Sequence, residues 1–592
     1  MGQTSDRTVK GGSFLIEDAA ADSFTPEDFT DEQKMIAKLT ADFTVNEVVP
    51  LLDKIEQHEF SHTIQLLKQA GELGLLGADI PEEYGGLGLD KISSTLIAEK
   101  LARGGSFALS HGAHVGIGSL PIVFFGNEQQ KKKYLPSLAT GERIAAYALT
   151  EPSSGSDALS AKTTAVLNEA GTHYVVNGEK QWITNSAFAD LFIVYAQIDG
   201  KAFSAFIVER DFEGVKTGVE EKKMGIKGSS TRTVILENAQ VPKENLLGEA
   251  GKGHLIAFNI LNIGRFKLGV GCVGSAKRAI ELAAGYANER KQFNTPIGRF
   301  RLIQEKLAEM AVATYATESA VYRTGGLIEQ RFGSLTEEEQ KSGRAVAGAI
   351  AEYAIECSLN KIAGSELLDF VVDEAVQIHG GYGYMAEYEV ERMYRDSRIN
   401  RIFEGTNEIN RLLVPGTLLR KAMKGELPLL EKAGALQEEL VQLLPAEVGS
   451  GPLEQEKQLL SMAKKIFLFV AGLGVQTYGE ALQQEQELLA NIADIVNDIY
   501  QMESAILRTE KARSGANDKG DRKLIMTQIF CQEAFQRIET NAKESLIMME
   551  EGDQRRMLLG ILRKLTRHEA IDVVKKKRLI AAAVLEESGY IS

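Results

Sequence analysis

Apolar residues recur at three- and four-residue spacing from about residue 30 to 140, as in DEQKMIAKLTADFTVNEVV and HTIQLLKQAGELGLLG, which predicts amphipathic helices. Residues 1 to 28 are small and polar and predict a loosely ordered segment. Between about 145 and 250 the period changes to short β-prone runs. THYVVNGEKQWI carries Asn177-Gly178, which predicts a two-residue hairpin turn, and LFIVYAQIDGKAFSAFIVER repeats the pattern with Asp199-Gly200. Helical spacing returns at about 253 and continues to about 425. No proline stands between Pro296 and Pro415, as long helices require. Thr336 and Glu339 have the spacing of a capping box. Pro415, Pro428, Pro445 and Pro452 read as punctuation before a separate helical unit. The expected organisation is α+β multidomain: a flexible segment 1–28, a helical domain 29–145, a β domain 146–252, a helical bundle 253–428 and an extra helical domain 429–592.

Composition narrows the classes. The 592 residues are 44% hydrophobic and 25% charged, enough to bury a large core. A formal net charge of −15 disfavours nucleic acid as a partner. Cys272, Cys357 and Cys531 have no CxxC spacing and read as reduced, buried or semi-buried thiols in a cytosol-like compartment, a bacterial cytoplasm or, as the alternative, an organelle reached after processing. The opening MGQTSDRTVKGGSF lacks the apolar run of a secretory signal, and Asp6 stands where a myristoylation motif on Gly2 needs Ser or Thr. No apolar run reaches the roughly 18 residues of a membrane span. The most apolar stretch lies in AKKIFLFVAGLGV, residues 463–475, which reads as a buried helix, with peripheral membrane contact as the second reading. His111, His114 and His379 fit no common ligand spacing and read as packed or hydrogen-bonded, so no metal is expected.

Four clusters carry candidate chemistry. YALTEPSSGSD, residues 147–157, offers hydroxyls and a backbone that a ligand can approach, or is simply a polar loop. QWIT, residues 181–184, holds the single tryptophan, either core or cofactor platform. NERKQFNTPIGRF with Gln304 places Arg290 just past a helix, to hold a diphosphate or to face solvent. VQIHGGYGYM is followed by YRDSRINRIFEGTNEINR, where Gly380-Gly381 suit close approach and Glu404 sits between Phe403 and Gly405.

In this order and spacing the clusters resemble the acyl-CoA dehydrogenase family over residues 30 to 425, and LSHGAHVGIG with TEPSSGSD is similar to the very-long-chain branch. The resemblance implies an N-terminal α-helical domain, a middle β-barrel domain, a C-terminal four-helix bundle and the added helical domain. It implies FAD as cofactor. Tyr147, Leu149, Thr150, Gly155 and Ser156 match the loop over the flavin, with Ser156 also facing the substrate. Trp182, Ile183 and Thr184 match residues flanking its ring. Arg290, Gln292, Phe293, Phe300 and Gln304 match the segment that a neighbouring subunit lends to the adenosine diphosphate, and Gln377, Gly380 and Gly381 match the other half of that site. Thr406 and Glu408 match positions beside the cofactor. Glu404 matches the catalytic base, and Arg265, Phe403 and Gly405 surround the substrate site. The family's second base position aligns with Gly264, which cannot act as one.

The implied reaction is α,β-dehydrogenation of a long-chain fatty acyl-CoA to the trans-2-enoyl-CoA, the first step of β-oxidation, with electrons passing to electron-transferring flavoprotein. The α-proton of a thioester is a weak acid, so the base needs desolvation and the carbonyl needs polarising donors. Gly112, Ala113 and Gly116 either leave a long acyl cavity open or pack closely against a neighbouring helix. The extra domain implies a homodimer rather than a tetramer. An acyl-CoA oxidase-like enzyme and a weakly catalytic, partner-binding assembly protein stand as alternatives.

Overall fold

The computed structural model describes residues 9–20, 22–441, 449, 451–514 and 519–592. Gly2, Asp6 and Pro445 lie outside the described residues. The N-terminal helices follow the expected period. Helix Asp31–Phe43 starts at a capping box in which Thr30 accepts from the Gln33 N–H at 3.2 Å and Gln33 accepts in return at 3.1 Å. Lys91–Leu101 follows its cap Asp90. The stretch from Ser106 to Phe125 is helical throughout, but Ala113–Ser119 widens to π-helical geometry where its small residues cluster.

The middle domain is an eight-stranded mixed sheet. Its strands are β1 Ala145–Ala148, β2 Thr164–Leu167, β3 His173–Thr184, β4 Leu191–Ile198, β5 Ala202–Glu209, β6 Val215–Thr217, β7 Thr231–Pro242 and β8 Leu246–Leu247. Their order is β6-β7-β3-β2-β4-β5-β8, with β1 joining β4 in parallel. Asp199 and Gly200, both at positive φ, turn β4 into β5 as expected. Asn177-Gly178 makes no turn. It lies inside β3 at a register shift against β7. Gly178 is required because a Cβ there would collide with the Thr163 side chain, and Asn177 Oδ1 accepts from the Asn238 N–H at 2.8 Å. The dipeptide marks a bulge rather than a hairpin.

Helices Gly253–Glu289, Arg301–Gly333, Ala354–His379 and Asn407–Met423 form the following bundle. The first and third cross at glycines: a Cβ on Gly269 would lie 2.6 Å from the Asn360 carbonyl oxygen, and one on Gly364 would lie 2.7 Å from the Gly269 Cα. The Thr336–Glu339 capping box forms, but its helix Glu337–Gln340 is a single turn. Pro415 does not end a helix. It sits inside Asn407–Met423, which survives the lost N–H because Val414 and Leu418 are buried on either side.

The C-terminal unit is helical: Leu429–Val441, Glu454–Tyr478, Gln486–Ser514, Lys519–Met549, Gly552–Leu565 and Val573–Glu587. Against the expectation of loose order, residues 9–20 and 22–28 are packed onto these helices and the bundle. The Gly12 N–H donates to Glu356 at 2.7 Å, Phe14 meets the Tyr500 ring at 4.8 Å, and Glu27 pairs with Arg508 and Lys523. A few apolar and acidic groups with buried receptors suffice to order a segment of polar composition. Among the described residues three helical stretches, Ser106–Phe125, Gly253–Glu289 and Glu454–Gln484, are long and apolar enough to cross a membrane by length and composition, against the expectation that no apolar run reaches a span. Of their most apolar windows, 72%, 67% and 44% are buried inside the protein, so core packing accounts for the first two. All three cysteines are free and buried.

The Gly269 crossing leaves no room for a methyl group. Gly269→Ala is expected to lower stability by about 1–3 kcal/mol through overpacking, read as a drop in Tm at unchanged helix content.

Candidate active site

Glu404 sits on a turn that local sequence makes obligatory. It takes φ 58°, followed by Gly405 at φ 77°. Thr406 then caps the next helix, its hydroxyl accepting from the Ile409 N–H at 3.2 Å. One buried side chain holds the turn: Asn410 Nδ2 reaches the carbonyls of Gly405 at 2.9 Å, Thr406 at 3.0 Å and Glu404 at 3.4 Å. Arg265 Nε donates to the Glu404 carbonyl at 3.1 Å, and its Nη1 donates to Asn262 Oδ1 at 2.9 Å. A non-glycine residue in the left-handed region is uncommon, and here it is over-determined by these bonds.

The strained backbone aims the carboxylate at helix Gly253–Glu289. A Cβ on Gly264 would stand 2.7 Å from Glu404 Oε2. That oxygen is buried and has no hydrogen-bond partner. Burial pushes the Glu404 carboxyl up to about 7, with Arg265 and Lys361 pulling it back. Lys361 is itself wholly buried, its ammonium on Asn407 Oδ1 at 2.6 Å, and burial pulls it down to about 8.

Glu404 opens into a mainly apolar cavity of about 890 Å³. The structure brings Gly112, Tyr147, Leu149, Thr150, Gly155, Ser156, Trp182, Ile183, Thr184, Arg265, Phe403 and Gly405 to the same walls. A Cβ on Gly112 would meet nothing within 4 Å, so this glycine keeps space open rather than packing a helix. The loop after β1 is anchored by Glu151, which pairs with the buried Lys180 at 2.6 Å and accepts from the Lys162 and Thr163 N–H groups. Trp182 stands at a bulge in β3 with φ 60° and is 58% exposed, a wall of the cavity rather than core. Tyr147 has a buried hydroxyl without a partner.

A second cavity of about 650 Å³ gathers Arg290, Gln292, Phe300, Gly380 and Gly381 from one chain. Arg290 lies over the Tyr382 ring at 5.4 Å. Phe293, Gln304, Gln377, Thr406 and Glu408 line neither cavity. Phe293 is 90% exposed and edge-on to Phe300; Gln304 donates to the Gly298 carbonyl; the Gln377 carbonyl closes its own helix end. Thr406 is committed to capping, and Glu408 is exposed on the first turn of that helix. His111 and His114 are buried, with Nε2 atoms 3.2 Å from the Leu75 and 3.0 Å from the Leu138 carbonyl oxygens, and burial pushes them down to about 3 and about 4. His379 is held by the Ala375 carbonyl at 2.7 Å and stacks on Tyr286.

Sequence reasoning missed Asn262, Lys361, Asn407 and Asn410. The two asparagines in TNEIN stood within a quoted motif, three and six residues after Glu404, but nothing in sequence tells that one amide spans three carbonyls. Lys361 carried a better signal, a lone lysine in an apolar helix.

Family models for the acyl-CoA dehydrogenase N-terminal, middle and C-terminal domains match residues 30–142, 146–239 and 251–419, and a further acyl-CoA dehydrogenase C-terminal model matches 462–564. The chain is 68% identical to a probable acyl-CoA dehydrogenase of Bacillus subtilis (strain 168) over 583 residues, 98% of each chain. It belongs to the acyl-CoA dehydrogenase family. It is also 36% identical to the mitochondrial very long-chain specific acyl-CoA dehydrogenase of Rattus norvegicus over 87% of this chain and 79% of that one. The crystal structure of an acyl-CoA dehydrogenase complexed with FAD from Bacillus anthracis superposes with a TM-score of 0.98 at 70% identity, covering 99% of this chain and all of that one. Butyryl-CoA dehydrogenase from Megasphaera elsdenii matches at a TM-score of 0.60 and 35% identity, covering 66% of this chain and 99% of its own. The acyl-CoA dehydrogenase fold with an added helical unit is therefore the architecture of this enzyme.

Two outcomes follow for this acyl-CoA dehydrogenase. Gly264→Ala forces the Glu404 carboxylate aside and is expected to lower activity by about tenfold or more, as a misplacement near 1 Å does, with the fold intact by circular dichroism. Because Glu404 titrates higher in the folded than in the unfolded chain, its burial penalty appears as pH rises from the ordinary glutamate range toward 7 and is complete above it. Glu404→Gln is therefore expected to raise the Tm of ligand-free protein at pH 8 and to leave it nearly unchanged at pH 5.

Proposed function

We propose that Glu404 is the base that removes the α-proton of a long-chain fatty acyl-CoA, giving the trans-2-enoyl-CoA as the first step of β-oxidation. The observation that carries this reading is a carboxyl raised to about 7, its Oε2 buried without a partner, in an apolar cavity opposite Gly264.

The residues present suit FAD. Gly155, Gly380 and Gly381 have open space where a Cβ would stand, and the Tyr147 hydroxyl is buried without a partner. Tyr147, Leu149, Thr150, Gly155, Ser156, Trp182, Ile183 and Thr184 would hold its ring portion. Arg290, Gln292, Phe300, Gly380 and Gly381, with Phe293, Gln304 and Gln377 adjoining, would hold its diphosphate. Thr406 and Glu408 are assigned beside it through the turn they flank. When bound, the flavin supplies the acceptor for the β-hydride.

The protein's part is positioning and electrostatics. Glu404 begins the cycle ionised and gains a proton at Oε2. An entering acyl chain removes remaining water and strengthens the carboxylate's demand for that proton. The Glu404 N–H makes no backbone hydrogen bond among the described residues and is free to polarise the thioester oxygen. Phe403 and Gly405 keep the turn apolar and narrow, Arg265 fixes its carbonyl, and Ser156, on the cavity wall, would face the substrate. Gly112, next to the π-helical segment, leaves the cavity open for a long chain.

Electron-transferring flavoprotein is the proposed acceptor and a bacterial cytoplasm the proposed compartment. A homodimer is proposed because the diphosphate residues gather in a cavity of their own, away from Glu404, so that a second copy can supply them to the flavin of the first.

Anaerobic titration with palmitoyl-CoA, followed by flavin absorbance, is expected to bleach the wild type and leave Glu404→Gln yellow; bleaching of both would move the base elsewhere. The acid limb of kcat/KM is expected near pH 7. Gly112→Phe is expected to cut turnover of palmitoyl-CoA by about tenfold or more while sparing butyryl-CoA; parallel losses would refute the open-cavity assignment.

A further inference from the structure

An unbroken chain of polar contacts joins the extra C-terminal unit to Asn407, at the helix start that follows the Glu404 turn, and to Lys361. Asp494, on helix Gln486–Ser514, accepts Arg411 Nε at 2.8 Å. The two terminal nitrogens of Arg411 donate to both oxygens of Glu366, at 2.8 and 3.0 Å. Glu366 Oε1 also accepts Asn407 Nδ2 at 2.9 Å. Asn407, the first residue of its helix and three residues beyond Glu404, accepts the Lys361 ammonium at 2.6 Å.

We propose that Asp494 is a positioning residue for Glu404, acting through Arg411, Glu366 and Asn407 on the turn and on Lys361. The inference rests on the reading of Glu404 as the base. Each link is geometrically restrictive. Three nitrogens of one planar guanidinium are used, so Arg411 cannot keep its grip on Glu366 and swing freely at once. Asn407 and Lys361 are buried, so neither has solvent to replace a lost partner. Lys361 and Arg265 are the cations that act on the Glu404 carboxyl, and displacing the first changes the field at the base. Asp494 faces Arg411 and Glu366, with Asp498 one helical turn on and paired to Arg537 at 2.6 Å. That second pair ties helices Gln486–Ser514 and Lys519–Met549 to each other; Asp498 feels the charge of Glu366, but among the described residues the pair makes no hydrogen bond to Arg411, Glu366 or Asn407.

The contrast supplies the experiment, on full-length flavin-loaded enzyme with palmitoyl-CoA. Asp494→Ala is expected to lower kcat by about tenfold with KM nearly unchanged, and to move the acid limb of the kcat/KM profile by about half a pH unit. Asp494→Asn keeps an acceptor for Arg411 Nε and is expected to restore both. Arg537→Ala is expected to lower Tm without moving the limb. An unmoved limb in Asp494→Ala, equal shifts in Asp494→Ala and Arg537→Ala, or no recovery in Asp494→Asn overturns the proposal. Should Asp494→Ala not hold flavin, Arg411→Lys carries the test with the same expected shift, and an unmoved limb there is equally fatal. Glu404→Gln run alongside separates the two readings. Activity in that variant sinks the base assignment itself, whereas its loss together with an unmoved limb in Asp494→Ala sinks only the relay.

Discussion

A carboxylate buried without a hydrogen-bond donor is costly, and Glu404 is held in that condition from several directions. Its backbone is left-handed, Asn410 grips three successive carbonyls of the turn, and Arg265 takes the carbonyl of Glu404 itself. Arginine here bonds the main chain rather than the carboxylate. Its charge moderates the carboxyl without neutralising it, and the oxygen aimed at Gly264 stays without a hydrogen-bond partner.

That arrangement needs two long helices at close range. Helix Gly253–Glu289 provides Asn262, Gly264 and Arg265; helix Ala354–His379 provides Lys361. They approach closely because Gly269 and Gly364 present bare backbone at their crossing. The β domain closes the cavity from the other side with the loop anchored by Glu151 and Lys180 and with the bulge that turns Trp182 outward. The N-terminal segment and the C-terminal unit are bound to this bundle by buried charge. Glu318 pairs with Arg508 and Lys277, Arg508 with Glu27, and Arg323 with Glu503. These ions share partners, Glu318 lying between two cations and Arg508 between two carboxylates, so the pairs form a buried network that binds the added domain to the bundle.

The reach of sequence reasoning differed by element. Helices with long apolar period and their caps, such as Thr30–Gln33, were legible because period and capping are local properties. The same logic failed at Asn177-Gly178, where a turn dipeptide serves a bulge against Thr163, and at Pro415, where packing overrides a helix breaker. Residues 1–28 looked too polar to order, yet 9–20 and 22–28 pack, on partners that lie hundreds of positions away in the chain and so leave no local signal.

By itself the sequence determined the domain order and the family, and most of the candidate residues it named line one of the two cavities, since each is carried by a short motif whose residue types reflect local chemistry. Only the tertiary structure decided which of those residues share a cavity, that Gly112 faces open space, and that Glu404 has no donor. It alone showed that Asn410 spans the carbonyls of that turn and that a chain of hydrogen bonds joins Asn407 to a C-terminal aspartate. Desolvation and hydrogen-bond partnership depend on what surrounds a side chain in space, and segments far apart in the chain supply those surroundings.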